Sequence, residues 1–273
     1  MRVFVVHAHP EPKSFNGAMT RQATEGLTAA GHEVAVSDLY AMGFNAVSDR
    51  RNFTTTHDPH YYRQESEESY AAAHDGFSSD IQAEMDKLFW CDALILQFPL
   101  WWFGVPAILK GWVDRVFASG GKIYGGGKWF DRGVLAGKRA MCSTTIGGQP
   151  PMYSAHGLSG PISTILFPIN HGMLYFTGFT VVEPFIVHAP IRPEVVSVYT
   201  EPIGSPLDGQ DTSALIKRAV TASHLLQVLR NVRIRRLRAS RPIKRAFERL
   251  AISQAARNNA YLGRVGRKSG SQS

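Results

Sequence analysis

The sequence predicts an α/β fold: a mostly parallel sheet covered by helices on both faces. Two observations carry this. Short β-branched or apolar runs alternate with helical patterns from Val3 to His188, the order expected of β-α-β units. In addition, 44% of the 273 residues are hydrophobic, ample for a sheet buried on both sides.

The elements follow in order. Val3 to Val6 is a β-branched and aromatic strand. A Pro-bounded loop then leads to Ser14-Phe15-Asn16, an N-cap for the helical pattern from Ala18 to Ala30, which Gly31 closes. Glu33 to Asp38 alternates like a strand, completing a first β-α-β unit. Tyr40 to Ser79 is rich in His, Asp, Glu, Ser and Tyr without a sustained period. It reads as a long loop with short helices, and loops of that length are commonly functional. A second unit has its strand at Ala93 to Phe98 and its helix from Pro106 to Phe117. A third has its strand at Arg139 to Thr145 and a helical stretch beginning near Pro161. Thr180 to His188 reads as one further strand, and Ala214 to Ala256 as a helical pattern with Arg on one side. The expected division is a catalytic domain over 1–205, with 40–79 as an insertion, and a basic helical extension over 206–273.

Charge and cysteine content limit the function classes. From Lys217 onward there are 15 Lys and Arg against one acid, Glu248; before it stand 15 basic and 21 acidic residues. The body is therefore about −6 and the tail about +14, so any affinity for polyanions concerns the tail. Cys91 and Cys142 lie far apart in apolar runs, which implies no disulfide framework and points to a reducing, cytoplasmic compartment. No signal peptide or membrane span is expected. The histidines lack metal-site spacing, and no G-x-S-x-G elbow, G-x-G-x-x-G or P-loop motif is present.

Open parallel sheets bind ligands beyond the carboxyl ends of their strands. The loops to inspect are thus those after residues 6, 98 and 145. The first, His9 to Asn16, offers a hydroxyl, an amide and helix N-terminal N–H groups, which suit a phosphate or serve only to cap the helix. The second, Pro99-Leu100-Trp101-Trp102-Phe103-Gly104, has three adjacent aromatics that cannot all face one core; a flat conjugated ligand or a subunit interface would cover them. The third, Thr144 to Tyr153, has Gly147-Gly148 for close approach of a planar ligand and the Tyr153 phenol as a donor, or is simply a turn before Pro150-Pro151.

These residues together resemble a known family. His9 with Ser14-Phe15-Asn16, the run Ser37-Asp38-Leu39-Tyr40-Ala41-Met42, the tract from Gln97 to Trp112 (QFPLWWFGVPAILKGW) and Thr144 to Tyr153 are similar to the NAD(P)H:quinone reductases of the DT-diaphorase type. The likeness extends to Phe176-Thr177-Gly178-Phe179 and Glu183-Pro184. The resemblance implies a flavodoxin-like homodimer, sheet order 2-1-3-4-5, with FAD at the interface; FMN is the alternative cofactor. It implies that His9, Ser14, Phe15 and Asn16 hold pyrophosphate and ribose, and that Pro99, Leu100, Trp102 and Phe103 line the isoalloxazine. Thr145, Ile146, Gly147, Gly148 and Tyr153 would bond the polar edge of the ring. Trp102, Phe103, Tyr124, Trp129 and Phe176 would bound the pocket shared by nicotinamide and quinone, with Arg192 a further candidate. Hydride would pass from NAD(P)H to flavin N5 and then to quinone in a ping-pong cycle, the flavin carrying the chemistry.

One departure stands out. The family pairs its tyrosine with a histidine six residues later; here that position is Ser159, which cannot become a cationic acid. His156, three residues before it, is the candidate substitute, and a surface histidine is its plainer reading. In the tail, Arg230 to Arg245 could meet an anionic membrane or other polyanion, although a solvated face is the commoner outcome of such a run. Nucleic acid is not expected, because neither aromatic interleaving nor a nucleic-acid fold accompanies it. The competing function is a flavin-bound docking subunit of a membrane transport system with weak reductase activity.

Overall fold

The structure, a computed structural model, describes residues 1–190. Its elements are β1 (Arg2–His7), α1 (Phe15–Ala29), β2 (Glu33–Asp38), α2 (Gln64–Ala73), α3 (Ser79–Trp90), β3 (Ala93–Pro99), α4 (Ala107–Val116), β4 (Arg139–Ile146), α5 (Ile162–Ile165), β5 (Thr180–Val181) and β6 (Phe185–His188). Tight 3-10 turns occupy Arg50–Asn52, Phe130–Arg132 and Pro150–Tyr153, and a π-helical run occupies Pro168–Tyr175. The proposed boundary at residues 205 and 206, Arg192 and the basic tail lie outside the described residues.

The sheet order is β2-β1-β3-β4-β5, with every pairing parallel, as the sequence predicts. Strand order reverses direction between β1 and β3, and that switch point opens a crevice at the carboxyl ends. β3 (ALILQFP) is buried along its whole length, as a central parallel strand must be. α1 starts at Phe15, earlier than its apolar pattern suggests, because the Ser14 hydroxyl accepts from the Gly17 amide at 3.1 Å and closes the first turn.

The sequence reading misses α3. Its buried face, Ile81, Glu84, Met85 and Leu88, keeps helical spacing but has a carboxylate in the middle. Glu84 is fully buried and accepts from Trp112 Nε1 (2.8 Å), Ser37 Oγ (3.0 Å) and Lys87 Nζ (2.6 Å). Three elements thus converge on one charge, and Trp112 is held against Phe4 and Phe117 in the core. Burying such an aromatic stabilises by about 2–3 kcal/mol.

The segment 40–79 carries short helices, as expected, and is fastened by two adjacent buried glutamates of α2. Glu67 accepts from the His57 and Asp58 amides (2.7 and 3.2 Å) and from the Arg50 guanidinium (3.1 Å). Glu68 accepts from the Ser119 amide (2.7 Å) and Gln64 Nε2 (2.8 Å).

The single strand expected over Thr180 to His188 is two strands. Arg139 pairs with Thr180, yet Ser143 pairs with Phe185, so one extra residue is inserted in Val182-Glu183-Pro184. Pro184 has no N–H to give to the ladder, and a bulge accommodates it.

Candidate functional site

The loops after β1, β3 and β4 meet at the carboxyl edge of the sheet, and a buried polar chain ties them together. Gln97 Nε2 donates to Asn16 Oδ1 (2.9 Å), and Asn16 Nδ2 donates to Thr145 Oγ1 (2.9 Å). Leu100 N donates to Thr145 O at 2.8 Å, and Ala8 N to Gln97 O at 3.0 Å. Asn16, Gln97 and Thr145 are all buried, so each bond is made in a medium where leaving it unmade would cost about 1–3 kcal/mol. The sequence reading brings Asn16 and Thr145 to one site but gives no role to Gln97, whose place in an apolar strand was the available signal.

In the first loop, His9 Nδ1 accepts from the Glu11 amide at 3.0 Å, so a neutral His9 carries its hydrogen on Nε2, a donor suited to an anion. The Ser14 hydroxyl is engaged as the cap, Phe15 is half-buried behind it, and α1 has no acid in its first turn. An arriving anion would compete with the Glu11 carboxylate for the Lys13 amide, 2.7 Å apart. A Cβ on Gly17 would lie 2.3 Å from Pro12 O, so only glycine lets the loop fold this closely onto the helix. Beneath it, His7 contacts Thr20 Oγ1 at 2.8 Å, and burial lowers its pKa below the ordinary 6.5.

The second loop is a two-residue reversal. Trp101 and Gly104 exchange both backbone hydrogen bonds (3.0 and 2.9 Å), while Trp102 and Phe103 adopt φ of 49° and 60°. Such backbone suits Gly, Asn or Asp; on bulky aromatics it costs on the order of 1–3 kcal/mol each. Among the described residues no burial offsets this, since Trp102 is 97% exposed and Phe103 is also exposed. Pro99 is buried at the end of β3. The Trp101 ring faces His9, centroids 6.1 Å apart, so it bridges the first and second loops.

The third loop starts at buried Ile146. Gly147 faces open space, and a Cβ on Gly148 would come within 2.8 Å of the Tyr153 ring. The Pro150–Tyr153 turn carries Tyr153 back over the glycines. His156 is exposed, and the Ser159 amide donates to Met152 O at 2.9 Å. The imidazole beside Tyr153 is instead His188, with ring centroids 5.8 Å apart. The sequence reading misses it because the two residues are far apart in the chain and the bulge that joins them is not visible there.

Tyr124 and Phe176 meet at 5.6 Å, and Phe130 N donates to Phe176 O at 2.8 Å, which brings half-exposed Trp129 into the same neighbourhood. Phe130, His171 and Tyr175 extend this second aromatic cluster. Beside it opens a cavity of about 220 Å³, whose lining includes Gln64, Glu68, Asp114, Tyr124 and Phe176. Burial pushes the Glu68 carboxyl and the Tyr124 phenol above their ordinary pKa values.

Comparison with known proteins agrees with this geometry. The family model for the flavodoxin-like fold matches residues 1–197. A ribosyldihydronicotinamide dehydrogenase-like protein of Penicillium crustosum is 46% identical over 201 residues, covering 68% of this chain and 72% of that one. NAD(P)H dehydrogenase [quinone] 1 of Cavia porcellus is 43% identical over 203 residues, covering 72% and 74%. A crystal structure from Klebsiella pneumoniae named for a quinone reductase superposes with a TM-score of 0.72, at 38% identity and 85% coverage of both chains.

Proposed function

We propose, for a chain that belongs to the NAD(P)H dehydrogenase (quinone) branch of the flavodoxin-like family, FAD-dependent two-electron reduction of quinones by NAD(P)H. Membership makes the chain an oxidoreductase. The observation that carries the finer reading is the strained, solvent-facing Trp102-Phe103 tip, whose loop is tied to Thr145 by the Leu100 N–Thr145 O hydrogen bond. Backbone strain of this kind clusters at active sites and ligand clamps, where the surrounding structure holds it in place.

The residues present fit a flavin. Trp102 and Phe103 supply flat apolar surface, Gly147 leaves its backbone open to a ring edge, and Tyr153 contributes a phenol donor. His9 Nε2–H and the α1 N-terminus suit the phosphates. Bound there, the flavin would supply the redox chemistry, taking a hydride at N5 from NAD(P)H and giving it to quinone in a ping-pong cycle. Tyr124, Trp129 and Phe176 would wall the place that nicotinamide and quinone occupy in turn. A homodimer with the cofactor at its interface would cover the aromatic tip. Cys91 and Cys142, both unpaired and buried, go with the proposed cytoplasmic location. Among the described residues, no helix is long and apolar enough to cross a membrane. The docking-subunit reading finds no support in the relatives above.

The test has two steps. Cofactor released from the purified protein and chromatographed should be FAD; FMN would overturn that assignment. NAD(P)H oxidation should accelerate sharply on adding menadione, and flavin binding without turnover would sink the reductase reading.

A further inference from the structure

β6 ends on His188, and the bulge at Val182-Glu183-Pro184 decides what that residue meets. Had the β4–β5 register continued, Val187 would stand against Ile146; with the extra residue, His188 does. Its Nδ1 lies 3.2 Å from Gly148 O, and its ring stands beside that of Tyr153. A carbonyl oxygen only accepts, so Nδ1 carries the hydrogen and Nε2 is the basic nitrogen. Gly148 and Tyr153 both belong to the segment proposed to meet the polar edge of the flavin.

We infer that His188 takes up a proton at Nε2 when negative charge arises beside Gly147, Gly148 and Tyr153, and so keeps the net charge of this edge constant. The inference rests on the flavin reading above. The balance is simple: one proton comes from solvent to Nε2, no electrons move, the Nδ1–H bond to Gly148 O is kept, and the proton leaves when the charge leaves. An anion close to an imidazole favours its charged form. The ring starts neutral, because burial holds its pKa below the ordinary 6.5 against the smaller opposing effect of the Gly148 carbonyl. Of the elements packed on it, the paired part of β4 (Ser143 to Ile146) carries no ionisable group, nor does the rest of β6. Among the described residues the titratable neighbour is Tyr153, from the Pro150–Tyr153 turn.

The experiment is the pH dependence of the midpoint potential of the flavin-loaded protein, measured by spectroelectrochemistry with no nicotinamide or quinone present. In the wild type the slope should be steeper than in His188→Gln by about 30 mV per pH unit, the two-electron equivalent of one proton. Gln retains a donor for Gly148 O but cannot ionise. His188→Phe, which fills the space of the ring, should lose the same increment, so the conclusion does not depend on one variant folding. His156→Ala should keep the wild-type slope. Retention of that slope in both His188 variants would overturn the inference, as would its loss in His156→Ala. Failure of the wild-type protein to bind any flavin would overturn the cofactor reading and this inference with it. A protein that binds flavin but turns over no quinone would still test His188 alone.

Discussion

Trp102 and Phe103 set a backbone cost against the flavin contact proposed for them. Their left-handed backbone is costly for aromatic side chains, and Trp102 recovers almost nothing through burial. Trp102→Gly should therefore stabilise the flavin-free protein, by about 1 kcal/mol, because glycine takes φ near 50° without a steric penalty. The same change should weaken flavin binding by on the order of tenfold or more, since an aromatic contact is worth about 1 kcal/mol beyond its area. Thermal melts without cofactor and a fluorescence titration with FAD read the two effects separately. Lower stability together with unchanged affinity would contradict both. Neighbouring Trp101 has a different part, since its ring faces His9 and spans two loops.

Among the elements, α3 shows how a helix can be held by polarity as much as by its apolar face. The Glu84 carboxylate collects donors from β2, α4 and its own next turn while wholly buried. Glu84→Ala should lower the unfolding free energy by about 3–5 kcal/mol, because it leaves Trp112 Nε1 without its acceptor and Lys87 without its partner charge. Glu84→Gln keeps one acceptor oxygen and should cost less. Urea unfolding of the two variants should give that ranking; equal midpoints would mean that packing alone holds α3. α2 fastens the 40–79 segment in a similar way, with Glu67 tying down one loop and Glu68 the Ser119 turn. The bulge between β5 and β6 acts at this scale too, since one inserted residue brings His188 to the end of β4.

For the whole molecule, the parallel sheet gathers loops from three strands at one edge, and that edge carries the bare aromatic tip after β3. An exposed, strained aromatic pair next to two ligand-shaped loops predicts a second covering body, here proposed as another copy of the chain. Sedimentation equilibrium at micromolar concentration should give twice the 30.1 kDa chain mass with flavin bound. A monomer carrying one tightly bound flavin would rule out the interfacial arrangement.

The alternation of strands and helices was legible in the sequence, and with it the sheet edge at which the three loops gather, because burial on both faces of a parallel sheet imposes apolar runs that composition cannot hide. Loops carrying His9, Asn16, Trp102, Thr145 and Tyr153 were legible for a related reason: glycines and aromatics in an α/β turn answer to local backbone and exposure. Gln97 and Glu84 were not legible, because a buried polar group inside an apolar pattern acquires meaning only from the donors that surround it. His188 was hidden for another reason. Its meeting with Tyr153 depends on a one-residue change of register, and pairing register is a property of two strands, fixed only when the chain is folded.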